Sequence, residues 1–142
     1  MQRENEGKLI EDENKETRIL IIEDNEELRH FISKDYVVFE AENGKQGLDK
    51  ALAKMPDIVI SDIMMPEMDG IEFLKRVKAN SNICHIPVIL LSAKSSLSDQ
   101  IQGLEYGADE YITKPFSSTY LKAKVDSLFK QRQMLYDYYT SK

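Results

Sequence analysis

The chain has no tryptophan, one cysteine, two histidines, four prolines and six glycines in 142 residues, and each scarcity excludes something. Cys84 has no partner for an internal disulfide, so an apolar core must hold the fold rather than covalent staples. His30 falls in a helical stretch and His85 just before a strand, which leaves no histidine pair for a zinc or iron site. No stretch of about 20 apolar residues is present and no charged-then-apolar leader, so these residues are expected to work in the cytoplasm. A basic excess is also missing. With 19 Lys and Arg against 25 Asp and Glu the formal charge is -6, and direct contact with nucleic acid or an anionic membrane is not expected of this segment.

What the chain does contain is a change of pattern near residue 18. Residues 1–17 are almost all charge and amide, with Leu9 and Ile10 the only neighbouring apolar pair, and read as a tail or linker. Residues 18–132 have the length of one domain, about 100–150 residues, and residues 133–142 read as a helical extension or linker. Within the domain, short apolar runs at Ile19–Ile22, Val37–Glu40, Ile58–Asp62, Val88–Ser92 and Glu110–Thr113 alternate with helical stretches. The helical faces are carried by Leu28, Phe31 and Ile32; by Leu48, Ala51, Leu52 and Met55; by Phe73, Leu74 and Val77; by Leu97, Ile101 and Leu104; and by Leu121, Val125, Leu128 and Phe129. Gly44, Gly103 and Gly107 are expected at helix ends or turns. Strand, crossover helix and parallel strand wind right-handed almost without exception. The fold class is therefore α/β: a doubly wound, flavodoxin-like parallel sheet of five strands, order 2-1-3-4-5, with helices on both faces.

Four of those runs end on residues that phosphoryl chemistry can use: Glu23 and Asp24, Asp62, Ser92, and Lys114. Strand ends of a parallel sheet share one edge, and ligands bind there. Clustered carboxylates repel unless a cation intervenes, and oxygen ligands from Asp24 and Asp62 with waters and a backbone carbonyl suit Mg²⁺ or Mn²⁺. Asp62, on the central strand, is placed to attack a phosphoryl group, Lys114 to pair with its oxygens and Ser92 to donate to another. Taken singly, each residue reads as a strand-end acid, a helix cap or a surface lysine. Their joint occurrence favours the pocket.

The segments that carry these residues are Glu23-Asp24, Ile60-Ser61-Asp62-Ile63-Met64-Met65-Pro66-Glu67-Met68-Asp69-Gly70, Pro87 to Ala93, and Gly107 to Phe116. Together they resemble the receiver domain of two-component response regulators, with the Ser92 to Phe116 wording similar to receivers of hybrid sensor histidine kinases. The resemblance implies that Asp62 accepts a phosphoryl group from a phosphohistidine on a partner kinase. It implies further that Asp24, Asp62 and the carbonyl of Met64 bind the metal, with Glu23 acting through water. Ser92 and Tyr111 would form a switch that repacks the face of the fourth helix, fifth strand and fifth helix, a face that would also permit a homodimer. The Lys114–Pro115 bond would be cis. In this family Met64 and Lys94 occupy places that tune attack of water on the acyl phosphate, and the apolar Met64 implies a long-lived phosphoform.

The enzyme alternative is a Mg²⁺-dependent aspartyl-phosphate phosphatase of haloacid dehalogenase type. Such an enzyme wants a second acid two residues after its nucleophile, where this chain has Met64. A nucleotide hydrolase would need a G-x-x-x-x-G-K-[ST] loop, and none follows a strand.

Overall fold

Runs such as Ile19-Leu20-Ile21-Ile22 and Val88-Ile89-Leu90-Leu91 show no polar alternation, the pattern of strands covered on both faces. The computed structural model describes residues 17–141 and places those runs at the centre of one parallel sheet. The strands are β1 (Arg18–Ile22), β2 (Val37–Glu40), β3 (Ile58–Asp62), β4 (Val88–Ser92) and β5 (Glu110–Thr113). They alternate with the helices α1 (Glu26–Ser33), α2 (Gly44–Lys54), α3 (Gly70–Ala79), α4 (Leu97–Glu105) and α5 (Ser118–Thr140). The strand order is β2-β1-β3-β4-β5, as expected, and every neighbouring pair is parallel.

Successive residues of a strand point to opposite faces, and this splits the core in two. Leu20, Ile22, Val59, Val88 and Leu90 pack with Phe73, Leu74 and Val77 of α3 and Ala51 of α2. On the other face Ile19, Ile21, Ile58, Ile60, Ile89 and Leu91 pack with Leu28 and Ile32 of α1 and Leu121 and Val125 of α5. Each helix begins on a side-chain oxygen that accepts a backbone N–H three residues on. Asn25 caps α1, Asn43 α2, Asp69 α3, Ser96 α4 and Ser117 α5.

Two helices, α2 and α4, differ in detail from the sequence expectation. α2 buries Gly44, Gly47 and Ala51 rather than the Leu52 and Met55 side, which stays exposed. The reason is close approach: a Cβ on Gly47 would stand 2.2 Å from Ile22 Cδ1. α4 turns its apolar stripe outward, with Leu97, Ile101 and Leu104 at 72%, 45% and 49% exposure. Its buried residue is Gly103, in the last turn of the helix, and the Gly103 carbonyl accepts Ala108 N–H at 3.1 Å. α5 runs unbroken through the segment expected as an extension, with Tyr136, Tyr138 and Tyr139 exposed. The charged segment 1–17 lies outside the described residues except for Thr17, which is buried and whose carbonyl accepts from Val37 N–H. No helix among the described residues is long and apolar enough to cross a membrane.

This packing separates two substitutions that the sequence pattern treats alike. Phe73→Ala, at a fully buried position, should lower stability by about 3–5 kcal/mol. Leu97→Ala on the open face of α4 should change it by less than about 0.5 kcal/mol. Urea unfolding of both variants checks the pair.

Candidate functional site

Because all five strands run in parallel, the residues that follow them meet at one carboxyl edge. Glu23 and Asp24 follow β1, Asp62 closes β3, Ser92 closes β4 and Lys114 follows β5. Ladder bonds carry the register past the strands: Ile63 N–H donates to the Leu91 carbonyl at 3.0 Å, and Lys114 N–H to the Ser92 carbonyl at 2.8 Å. The Lys114–Pro115 bond is cis, as the resemblance implied.

Lys114 Nζ donates to Glu23 Oε2 and to Asp62 Oδ2, both at 3.1 Å. The Glu23 side chain is 6% exposed, that of Asp62 17% and that of Lys114 30%. Burial pushes the Glu23 carboxyl above its ordinary range; the Lys114 hydrogen bond opposes the rise and the Asp62 charge adds to it. Burial alone would lower the Lys114 pKa. The bonds to Glu23 and Asp62 outweigh it, and the ammonium is held above its ordinary value.

Asp24 stands beside this trio, exposed, with no hydrogen bond or ion pair to another described residue. Asn25 has taken the cap of α1 by accepting Leu28 N–H at 3.1 Å, so the capping role open to Asp24 is already filled. Two carboxylates therefore share one ammonium, and Asp24 adds a third beside them in sequence. Among the described residues no three His, Cys, Asp or Glu side chains converge closely enough to hold a metal ion unaided. The donors that do stand at this edge are hard oxygens with no histidine or thiolate, and Mg²⁺ is content with one or two carboxylates when carbonyl and water oxygens complete the shell. The donor chemistry fits that ion.

The loop after Asp62 is folded tightly over the strand end. Gly70 N–H donates to the Ile63 carbonyl at 2.9 Å, Met68 N–H to the Pro66 carbonyl at 2.8 Å, and Glu67 adopts φ +66°. A Cβ on Gly70 would stand 2.3 Å from the Asp62 carbonyl oxygen, so only glycine lets α3 begin there. Met64 is 65% exposed and offers its side chain to solvent.

On the other flank Ser92 is fully buried, and its Oγ accepts Lys94 N–H at 2.9 Å. The Lys94 carbonyl accepts the Tyr111 hydroxyl at 2.9 Å. Serine and tyrosine are thus joined through the backbone of one residue. The Tyr111 ring is half-buried against the core on the α3 side.

One site residue escaped the sequence reading, and a second was read there only as the end of a motif. Arg29 donates from Nη1 to the Glu23 carbonyl at 2.8 Å while its Nε pairs with Glu40 at 3.0 Å, which ties the acidic loop to α1 and β2. Gly70 is the second. An arginine on a helix and a glycine after an aspartate look ordinary in sequence, and only their three-dimensional neighbours give them a role.

A doubly wound parallel sheet with an acid-rich pocket at its carboxyl edge, spanned by one lysine, defines the class: a flavodoxin-like α/β protein whose work is done at the strand ends. Comparison with known proteins then gives the family. The chain belongs to the response regulator receiver domain family, whose model matches residues 19–126. Among curated proteins it is 44% identical to histidine kinase P4 of Formosa agariphila, over 89% of this chain and 10% of that protein. It is 38% identical to the response regulator ArlR of Staphylococcus epidermidis, over 82% of this chain and 54% of that one. The chain thus spans a tenth of the first relative and about half of the second. Among solved structures, the receiver domain of a signal transduction histidine kinase from Syntrophus aciditrophicus superposes with a TM-score of 0.74 at 36% identity, over 81% of this chain and 91% of that one. The chemotaxis protein CheY4 of Vibrio cholerae gives 0.70 at 29% identity, over 79% and 98%.

The electrostatics of the site make a pH-dependent prediction. Glu23 ionises in the folded chain above its ordinary value of 4.5, so the folded state holds that proton more tightly and stability falls as pH rises through that interval. Glu23→Gln should gain on the native chain as pH climbs through the window. In metal-free buffer, Lys114→Met should move the Glu23 carboxyl titration further up, because burial and the Asp62 charge then act unopposed. Carbon NMR of the Glu23 carboxyl reads this directly, and a downward move would contradict it.

Proposed function

We infer that this receiver domain takes a phosphoryl group from a kinase phosphohistidine onto Asp62 and signals by repacking its α4-β5-α5 face. The observation that carries the reading is the Lys114 ammonium placed 3.1 Å from one oxygen of Asp62. In the transfer, an Asp62 carboxylate oxygen forms a bond to phosphorus as the phosphorus–nitrogen bond to the imidazole breaks, and the electron pair leaves with the histidine. Lys114 then neutralises phosphoryl oxygen charge, and Ser92 turns its O–H toward another oxygen. Asp24, Asp62 and the carbonyl of Met64, with Glu23 through water, would hold Mg²⁺ or Mn²⁺. That ion supplies neutralisation of the oxygens on which charge develops.

The phosphoryl group brings close to two negative charges to the edge. Moving the Ser92 hydroxyl toward them releases it from Lys94 N–H, and the Lys94 carbonyl that receives Tyr111 moves with it. Tyr111 turns inward into the space vacated. The exposed Leu97, Ile101 and Leu104 of α4 give that face the apolar surface a second copy could cover. The domain catalyses its own modification and does not turn over an external substrate. The sign of its charge argues against direct nucleic-acid contact, and its resemblance to kinase-borne receivers supports a cytoplasmic place, alone or within a hybrid histidine kinase. Residues 18–132 would form the receiver, with 1–17 and 133–142 as its connectors.

The test is chemical. Acetyl phosphate with Mg²⁺ should add one phosphoryl mass to the chain and none to Asp62→Asn, read by intact-mass spectrometry. Sustained phosphate release from many phosphoesters would favour the phosphatase alternative instead. The side chain of Met64 offers no hydrogen bond to a water attacking the acyl phosphate, so Met64→Asn should lose its phosphoryl group faster than the native chain. An unchanged or slower loss would remove Met64 from the account of lifetime.

A further inference from the structure

We propose that Gly103 is the seat of the Tyr111 ring and so sets how far that ring can turn inward, a positioning residue for the switch; the inference rests on the Ser92–Tyr111 reading above. Gly103 sits inside α4, where glycine is disfavoured against alanine, and it is the residue that α4 buries. A Cβ built there would stand 2.8 Å from Tyr111 Cδ2, 3.2 Å from Tyr111 Cε2 and 3.4 Å from Leu90 Cδ1. The last is an ordinary contact. The first is well inside the optimal carbon separation of about 3.5–4.0 Å.

Something must yield to that methyl group. Leu90 is fully buried in the central sheet and has nowhere to go. Tyr111 is half-buried on the edge strand β5, with its hydroxyl on the Lys94 carbonyl at 2.9 Å. The ring swings off α4, and the hydroxyl leaves the carbonyl. Lys94 is also the residue whose N–H holds Ser92 Oγ at 2.9 Å. One methyl at position 103 therefore reaches the switch serine through the tyrosine, without touching the pocket.

The experiment is a double-mutant cycle on the whole chain, read by thermal unfolding and by fluorine NMR of protein labelled with 3-fluorotyrosine. The Tyr111 resonance is assigned by its loss in Tyr111→Phe. Gly103→Ala should lower the midpoint in the native background. It should raise the midpoint in Tyr111→Ala, where the two short ring contacts are gone, the Leu90 contact is at ordinary distance and the helix gains an alanine. In Gly103→Ala the Tyr111 resonance should move to a solvent-exposed position and no longer respond to acetyl phosphate with Mg²⁺. A lower midpoint in both backgrounds, or an unmoved resonance, would overturn the proposal. A native chain that takes no phosphoryl group from acetyl phosphate would defeat the phosphoacceptor reading instead, and the sign reversal with the unphosphorylated resonance would still decide the seat.

Discussion

One ammonium shared by two carboxylates from different strands is the interaction on which the site depends. Lys114 follows the edge strand β5, reaches past β4, and binds Asp62 of β3 and Glu23 after β1 at equal distance. Without it, a nearly buried glutamate would face an aspartate of like charge across the strand ends, and burial would make the repulsion stronger. The same contact makes the pocket responsive. On the proposed reading, a phosphoryl group on Asp62 would compete for one of the two carboxylates that Lys114 serves.

That sensitivity is matched by how unequally the helices are fastened. α3 buries Gly70, Phe73, Leu74 and Val77 against the sheet, whereas α4 buries Gly103 alone and leaves its larger apolar side chains in solvent. A helix with little buried apolar area opens or shifts at low free energy, while one that fills the core moves only with the whole fold. The chain thus puts its loosest helix beside Ser92 and Tyr111 and its tightest behind Asp62. On the proposed reading this holds the acceptor still and leaves the reporting face free.

Much of this was legible in the sequence, and the reason is local. The unbroken apolar runs of β1, β3 and β4 mark strands covered on both faces, and parallel topology then forces their ends together, so Glu23, Asp62, Ser92 and Lys114 could be gathered before any coordinates. The spacing of Leu97, Ile101 and Leu104 declared a helix but could not say which side met the core. Hydrophobic period measures whether a stripe exists, and the buried side was decided by a glycine, which carries no hydrophobic signal. Gly47 in α2 repeats the lesson against Ile22. Arg29 was illegible for a different reason: its partners, the Glu23 carbonyl and Glu40, are brought together by the β1–β2 pairing rather than by nearness in the chain.

The opposite edge of the sheet is built on another logic. There Arg18 N–H donates to Asp57 Oδ2 at 2.8 Å and its guanidinium to the Met55 carbonyl at 2.9 Å, while Asp57 N–H returns to the Arg18 carbonyl at 2.8 Å. Asp109 accepts Val88 N–H at 2.9 Å and faces both Lys78 of α3 and Arg132 of α5. Lys122 joins Asp35 and Asp126, and Tyr36 donates to Asp126, so α5 is clipped to the entry of β2 as well. The exposed ion pairs among these contribute little each, about 0–1 kcal/mol, but the contacts are several, and losing one leaves the others in place. Redundancy at the amino edge fixes the frame against which a single lysine at the carboxyl edge can act. On the proposed reading, a change at the pocket passes through Ser92, Lys94 and Tyr111 toward α4, the helix whose buried residue is a glycine.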